Sequence, residues 1–246
     1  MSAPSHLFAF ALVVAGVGGC SLPSNETGEA LSRTGEMVAL SGADGGARAA
    51  CFTCHGLRGE GDGVAIPRLA GLEAGYLHKQ LEDYASGLRP DDAMGPIAKR
   101  LDPEQRRAVA AWYSAMPVAP GATASGAPPD IWLRGDPSRR IAACAACHGA
   151  TGLGVGRGGP VLAGQPEAYT VEQIRRWRKG ERRNDPRSVM AQAVAGLTEA
   201  EIHATGRWLA RRSASQAPDT DVASASASVA AAARPAPLHE ARRPDR

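Results

Sequence analysis

The chain has 246 residues, with 28 Lys and Arg against 25 Asp and Glu (formal charge +3), and only three Phe, four Trp and four Tyr. That length allows one large domain or two small ones. Two small domains this poor in aromatics have thin cores, which a metal, disulfide or cofactor commonly completes. A charge so nearly balanced predicts no partner by itself, and no nucleic-acid partner is expected.

Leu7 to Gly19 is an apolar run of thirteen residues. A membrane-spanning helix needs about 20, so the run suits the core of a secretory signal peptide, read here as residues 1–19. It ends Val17-Gly18-Gly19-Cys20, which resembles a bacterial lipoprotein cleavage box. Cys20 would then be the lipidated first residue of the mature chain; the alternative is an ordinary cleaved signal with an incidental cysteine. Either reading exports the chain. Residues 20–42, polar and Gly/Ser-bearing, read as a flexible tether, and 43–116 as a first domain. The Pro/Ala/Gly/Ser-rich stretch 117–135 reads as a linker and 136–212 as a second domain. The Ala/Ser/Pro low-complexity stretch 213–246 reads as a disordered tail, too apolar-poor to offset its ordering entropy.

The two domains are an internal repeat. Cys51-Phe52-Thr53-Cys54-His55-Gly56 matches Cys144-Ala145-Ala146-Cys147-His148-Gly149 at an offset of 93. Pro67, Leu69-Ala70-Gly71, Tyr76, Gln80, Tyr84 and Gly87 match Pro160, Leu162-Ala163-Gly164, Tyr169, Gln173, Trp177 and Gly180 at the same offset. After a three-residue insertion the offset becomes 96, and Met94, Leu101 and Trp112 match Met190, Leu197 and Trp208. One architecture used twice follows. Each copy reads as helices. Asp136-Pro137 predicts an N-cap and N1 proline opening a helix that runs into Cys144; the equivalent start near Asp44 is weaker, with Gly45 and Gly46 next. Gly-rich loops follow each cysteine motif. Leu77, Leu81, Tyr84 and Leu88 lie on one helical face. The final helices open on the capping boxes Asp102-Pro103-Glu104-Gln105 and Thr198-Glu199-Ala200-Glu201. No strand alternation of any length is present, so the fold class is all-α.

C-x-x-C-H is a haem attachment signature. One helical turn presents both thiols to the porphyrin vinyl groups and the following His to the iron. Cys51, Cys54 and His55, then Cys144, Cys147 and His148, therefore predict two covalently bound haem c groups. A four-cysteine zinc site would span an unusually long gap, a thioredoxin-type C-x-x-C would sit near a βαβ pattern, and two disulfides would not explain the His twice. The distal ligands must come from later in each copy. Met94 and Met190 are the repeat-matched thioethers, soft ligands that favour ferrous iron and raise the potential; the competing use of Met is to fill a core gap. Met37 and Met116 lack repeat partners. His78 matches Val171 and His203 matches Arg107, so both read as surface or helix histidines.

On these motifs, with Leu162-Ala163-Gly164-Gln165, Tyr169 with Gln173, and Met190 followed by Leu197, residues 43 to 212 resemble the dihaem cytochrome c4 family. The resemblance implies two tandem class I cytochrome c domains facing each other across a pseudo-twofold. It implies a proline carbonyl holding each proximal imidazole, for which Pro67 and Pro160 are the matching residues. Tyr76 and Tyr169 would either reach haem propionates or pack. The implied activity is single-electron transfer in the periplasm between respiratory donors and acceptors such as a membrane terminal oxidase, with no enzyme activity. The alternatives are a cytochrome subunit of a periplasmic dehydrogenase or sulfide-oxidising complex, and a dihaem cytochrome c peroxidase, which needs an open distal position. The chain differs from the family in its lipoprotein-like leader, longer linker and C-terminal tail. Asp44–Met116 has nine Lys and Arg against ten Asp and Glu, whereas Asp136–Arg212 has thirteen against seven. The cluster Arg175, Arg176, Arg178, Lys179, Arg182, Arg183 and Arg187 is either a docking patch for an acidic redox partner or membrane, or a solvated helix face.

Overall fold

A computed structural model describes residues 34–118, 126–155 and 159–214. The predicted signal peptide, Cys20, most of the predicted tether, part of the predicted linker and the predicted tail beyond residue 214 lie outside the described residues. Ten α-helices are found among the described residues: α1 Gly35–Ser41, α2 Phe52–His55, α3 Ala74–Ser86, α4 Met94–Arg100, α5 Pro103–Ala115, α6 Asp130–Leu133, α7 Ala145–His148, α8 Glu167–Arg178, α9 Val189–Val194 and α10 Glu199–Ala210. The only β features there are two isolated bridges, Asp136 with Ile141 and Val155 with Gly159. The all-α expectation and the repeat are both met: α2 to α5 recur in order as α7 to α10. No described helix is long and apolar enough to cross a membrane.

Both predicted capping boxes form. Asp102 caps Gln105 and Thr198 caps Glu201, each with the reciprocal side-chain bond, and Pro103 sits at the start of α5. In the first domain Val38, Ala39, Leu72, Leu77, Leu101, Val109, Ala110 and Tyr113 form the core. In the second, Ile131, Ile141, Val171, Ile174, Val194, Leu197 and Ile202 form one cluster, and Trp132, Trp208 and Leu209 another. Small residues allow the helix crossings: a Cβ on Gly35 would meet the Ala108 carbonyl oxygen at 2.2 Å, and one on Gly206 would meet Val171 at 3.2 Å.

Four expectations are corrected. Helix α1 lies inside the predicted tether; Met37-Val38-Ala39-Leu40 gives it an apolar face, and Val38 and Ala39 are fully buried against α5. Helix α6 lies inside the predicted linker and delivers Ile131 and Trp132 to the second core. The helix expected from Asp136 into Cys144 does not form. Asp136 caps a single 3₁₀ turn, Pro137–Arg139, which Arg140 ends at φ 58°, and the chain doubles back so that Ile141 bonds Asp136. The N-cap signal was sound, but burying Ile141 ended the turn. Leu88 also falls beyond α3 and is exposed.

The two cores exchange bulk between matched positions. Ala39 and Tyr113 in the first domain correspond to Trp132 and Leu209 in the second, small for large at one site and the reverse at the other. Trp132 is 1 % exposed, and its Nε1 donates to the carbonyls of Gly149 (3.2 Å) and Ala150 (3.1 Å) in the loop after His148. Trp132→Ala is expected to destabilise the second domain by about 3–5 kcal/mol, measured as a drop in the denaturant midpoint; an unchanged midpoint would show that the loop does not lean on Trp132.

Candidate haem-binding sites

Each C-x-x-C-H motif starts a four-residue helix. Cys51 and Cys144 are the N-caps of α2 and α7, and His55 and His148 their last residues, followed by Gly56 and Gly149 at φ 80° and 76°. The glycines let the chain turn at once into a loop whose described backbone hydrogen bonds recur in both domains. Gly61 N–H bonds the His55 carbonyl and Gly154 N–H the His148 carbonyl, both at 2.8 Å. The carbonyl of Gly59 accepts from Leu69 and Ala70, and that of Gly152 from Leu162 and Ala163. The loop thereby brings a proline back over the imidazole. His55 Nδ1 lies 2.9 Å from the Pro67 carbonyl oxygen and His148 Nδ1 3.1 Å from that of Pro160.

A carbonyl can only accept, so Nδ1 carries the proton in both rings. Nε2 then holds the lone pair, the tautomer that a metal needs. Both rings are 7 % exposed, and burial pushes both imidazoles below their ordinary pKa against the raising effect of the proline carbonyl. They stay neutral and ready to ligate. Burial likewise pushes the Cys51 and Cys144 thiols up to about 11, the opposite of an activated redox thiolate. Cys54 and Cys147 are exposed, and none of the four is in a disulfide. No three His, Cys, Asp or Glu side chains converge as a metal site among the described residues, so the four-cysteine zinc alternative does not form there. Two alkylatable thiols and one neutral, correctly tautomeric imidazole per domain fit a covalently attached haem c in each.

Met94 opens α4, where Asp91 Oδ1 accepts from its backbone N–H at 2.9 Å. Met190 lies in α9 and packs on the second core; the residues before it, Arg187 and Ser188, both take positive φ (57° and 55°). Both methionines are half-buried. His78 and His203 are helix residues held by glutamates, His78 against Glu82 at 3.2 Å and His203 against Glu167 at 3.0 Å. Tyr76 packs on the first core, whereas the Tyr169 hydroxyl accepts from Arg89 at 3.0 Å.

Part of the basic cluster is paired or buried. Arg175 and Arg178 both pair with Glu199 (2.6 and 2.8 Å), Arg176 pairs with Asp91 (3.0 Å), and Arg182 is buried. Arg178, Lys179, Arg183 and Arg187 remain exposed. Sequence reasoning missed what Arg176 and Arg182 do, which is to join the domains. Arg68 N–H donates to Gln165 Oε1 (3.1 Å) while Gln165 Nε2 donates to the Arg68 carbonyl (2.9 Å). Asn184 donates to Gln80 and Asp83, and Lys79 to the Asn184 carbonyl. The signal was present: Gln80 and Gln173 are repeat-matched polar residues on helix faces otherwise apolar.

The family model Cytochrome c matches residues 43–116 and 139–212. The chain is 39% identical over 189 residues to the thiosulfate dehydrogenase electron acceptor of Stutzerimonas stutzeri (strain A1501), covering 74% of this chain and 88% of that one. It is similar to the solved structure of thiosulfate dehydrogenase from Marichromatium purpuratum, with a TM-score of 0.65 and 34% identity over 78% of this chain; it spans 44% of that longer chain. It is also similar to reduced cytochrome c4 from Pseudomonas stutzeri, with a TM-score of 0.61 and 28% identity over 71% of this chain and 98% of that one.

Proposed function

The chain belongs to the cytochrome c family, as a tandem dihaem electron carrier of the cytochrome c4 type, and from that premise we propose that it accepts electrons from a thiosulfate dehydrogenase and passes them to a respiratory acceptor such as a terminal oxidase. The observation that supports the donor is the 39% identity to a thiosulfate dehydrogenase electron acceptor over most of both chains; relatives named cytochrome c4 reach 32%. These relatives are consistent with the dehydrogenase-subunit alternative raised by the sequence and with a general shuttle alike.

Haem c supplies the one-electron chemistry; the protein's part is to hold the iron's surroundings fixed between oxidation states. His55 and His148 would be the proximal ligands, each locked by a proline carbonyl that also raises ligand basicity. Met94 and Met190 would be the distal ligands, held on short helices that start where the loop after α3 or α8 ends. With these four residues as ligands neither iron would keep a position free for peroxide, which argues against the peroxidase alternative. Met94→Ala and Met190→Ala are each expected to convert one of the two haems from low spin to high spin and to lower its midpoint potential. Visible and magnetic spectra of the oxidised protein check this, and spectra identical to wild type would remove that methionine as a ligand.

The donor is tested by stopped flow. Catalytic amounts of a thiosulfate dehydrogenase with thiosulfate should reduce both haems of the purified chain, and the reduced chain should then be reoxidised by membranes containing a terminal oxidase. Reduction no faster than by thiosulfate alone would reject this donor while leaving the carrier role intact.

Export with a lipid anchor at Cys20 is part of the same proposal, supported by the apolar run ending Gly18-Gly19-Cys20. Expressed in a host that matures c-type cytochromes, wild type should fractionate with membranes and Cys20→Ser should be released or retain its leader. Equal solubility of the two would leave Cys20 without a role in anchoring.

A further inference from the structure

The two methionine-bearing segments are not built alike. Met94 follows Gly87 by seven residues and Met190 follows Gly180 by ten, so the three-residue insertion in the repeat falls just ahead of the second methionine. In the first domain the approach is relaxed. Ala93 is already helical at φ −87°, Asp91 Oδ1 accepts from the N–H groups of Ala93 (3.1 Å) and Met94 (2.9 Å), and Gly95 N–H bonds the Asp91 carbonyl at 2.9 Å. In the second domain the 3₁₀ turn Pro186–Ser188 leads into α9 with Arg187 at φ 57°, ψ 21° and Ser188 at φ 55°, ψ 34°. Among the described residues four non-glycine positions take positive φ, and these are the only two in succession. Arginine and serine thus both hold a left-handed conformation that glycine, asparagine or aspartate normally occupies.

Packing does not impose this strain, since Pro186, Arg187, Ser188 and Val189 are all exposed, Val189 at 52 %. What holds the turn is Asp185. Its carbonyl accepts from Ser188 N–H at 3.1 Å, and its Oδ2 accepts from Ala191 N–H at 3.0 Å, six residues on. Asp185 thereby takes the part that Ser188 would ordinarily play. Ser188 is the N-cap residue of α9, yet its left-handed backbone leaves it without a side-chain capping bond. With an extended backbone, the Ser188 hydroxyl would reach the same first-turn N–H groups. The start of α9 therefore has two competing caps, a strained one from Asp185 and a relaxed one from Ser188. Met190 is the second residue of the helix they compete for. Left-handed residues of this kind persist only where something else fixes them, and they mark segments that switch.

We infer that the Asp185–Val189 turn makes Met190 the exchangeable ligand of the pair, so that the second haem site, and not the first, admits a small neutral nitrogen base in place of the thioether. This rests on the reading of Met94 and Met190 as distal ligands and is independent of the electron donor. At rest both thioethers stay in place. Release of Ala191 by Asp185 lets Arg187 and Ser188 relax and carries Met190 away with the start of α9, whereas the approach to Met94 stores no such strain. One iron–sulfur bond is exchanged for one iron–nitrogen bond, the iron stays ferric, and no proton moves.

The test uses mature ferric protein whose two haem additions are verified by intact mass, titrated with imidazole at a pH where imidazole is neutral. Proton NMR follows the shifted methyl signal of each iron-bound methionine, and Met94→His and Met190→His assign the two signals. In wild type the Met190 signal should disappear at imidazole concentrations about tenfold lower than the Met94 signal. Arg187→Gly and Ser188→Gly, which relieve the strain, should each raise the concentration needed at Met190 by about tenfold. Asp185→Ala, which removes the strained cap, should lower it. All three should leave the Met94 titration unchanged. Thioether and imidazole are both neutral, so the lost Arg187 charge acts on the two bound forms alike. Equal titration of both methionines, earlier loss of Met94, or loss of neither would overturn the inference. So would glycine variants that ease exchange at Met190, because chain flexibility rather than strain would then control it. A Met190→His protein that keeps both methyl signals would overturn it at its premise, by removing Met190 as a ligand.

Discussion

Everything in each domain is arranged around one hydrogen bond, from the imidazole Nδ1 of the motif histidine to a proline carbonyl twelve residues later. The bond selects the tautomer and sets the ring, and it requires a loop that returns on itself within those twelve residues. The positive φ angles at Gly56, Gly59 and Gly61, and at Gly149, Gly152 and Gly154, are what that return demands. A residue with a side chain would also collide: a Cβ on Gly59 would meet the Tyr113 ring at 2.6 Å. Proline suits the closing position because only its carbonyl is needed there.

The second constraint is that two such domains must meet. Their interface is polar rather than apolar, built from repeat-matched glutamines and arginines and from the Arg68–Gln165 backbone pairing. Two guanidiniums that donate to the same pair of amide oxygens repel each other. Hydrogen bonds to shared amide oxygens and stacking on Tyr84 and Trp177 offset part of that.

The repeat is not strict. Helix α1, which buries Val38 and Ala39, is answered in the second domain by the shorter α6 with Trp132. The bulk carried by Tyr113 in one core is carried by Trp132 in the other. The proximal histidines therefore differ in surroundings, His148 having the Trp132 ring 6.2 Å away. The two matched histidine sites thus have different neighbours.

The chemistry was legible in the sequence because it is local. Both thiols and the imidazole of each site lie within five residues, the capping boxes within four, and a constant offset exposed the repeat. The proline carbonyls were reachable only by resemblance, since a backbone oxygen has no side-chain signature. Helices α1 and α6 were missed because short apolar runs such as Val38-Ala39 and Ile131-Trp132 carry too little periodicity to outweigh flanking Gly, Ser and Pro. The fate of the arginines was invisible for a different reason. In the sequence, Arg175 to Arg187 is one basic run, whereas in the fold Arg175 and Arg178 meet Glu199, Arg176 meets Asp91, and Arg182 enters the domain interface. Covalent attachment and proximal ligation are thus determined by residues adjacent in the chain, whereas charge compensation depends on groups about a hundred residues apart, whose meeting only the packed structure decides.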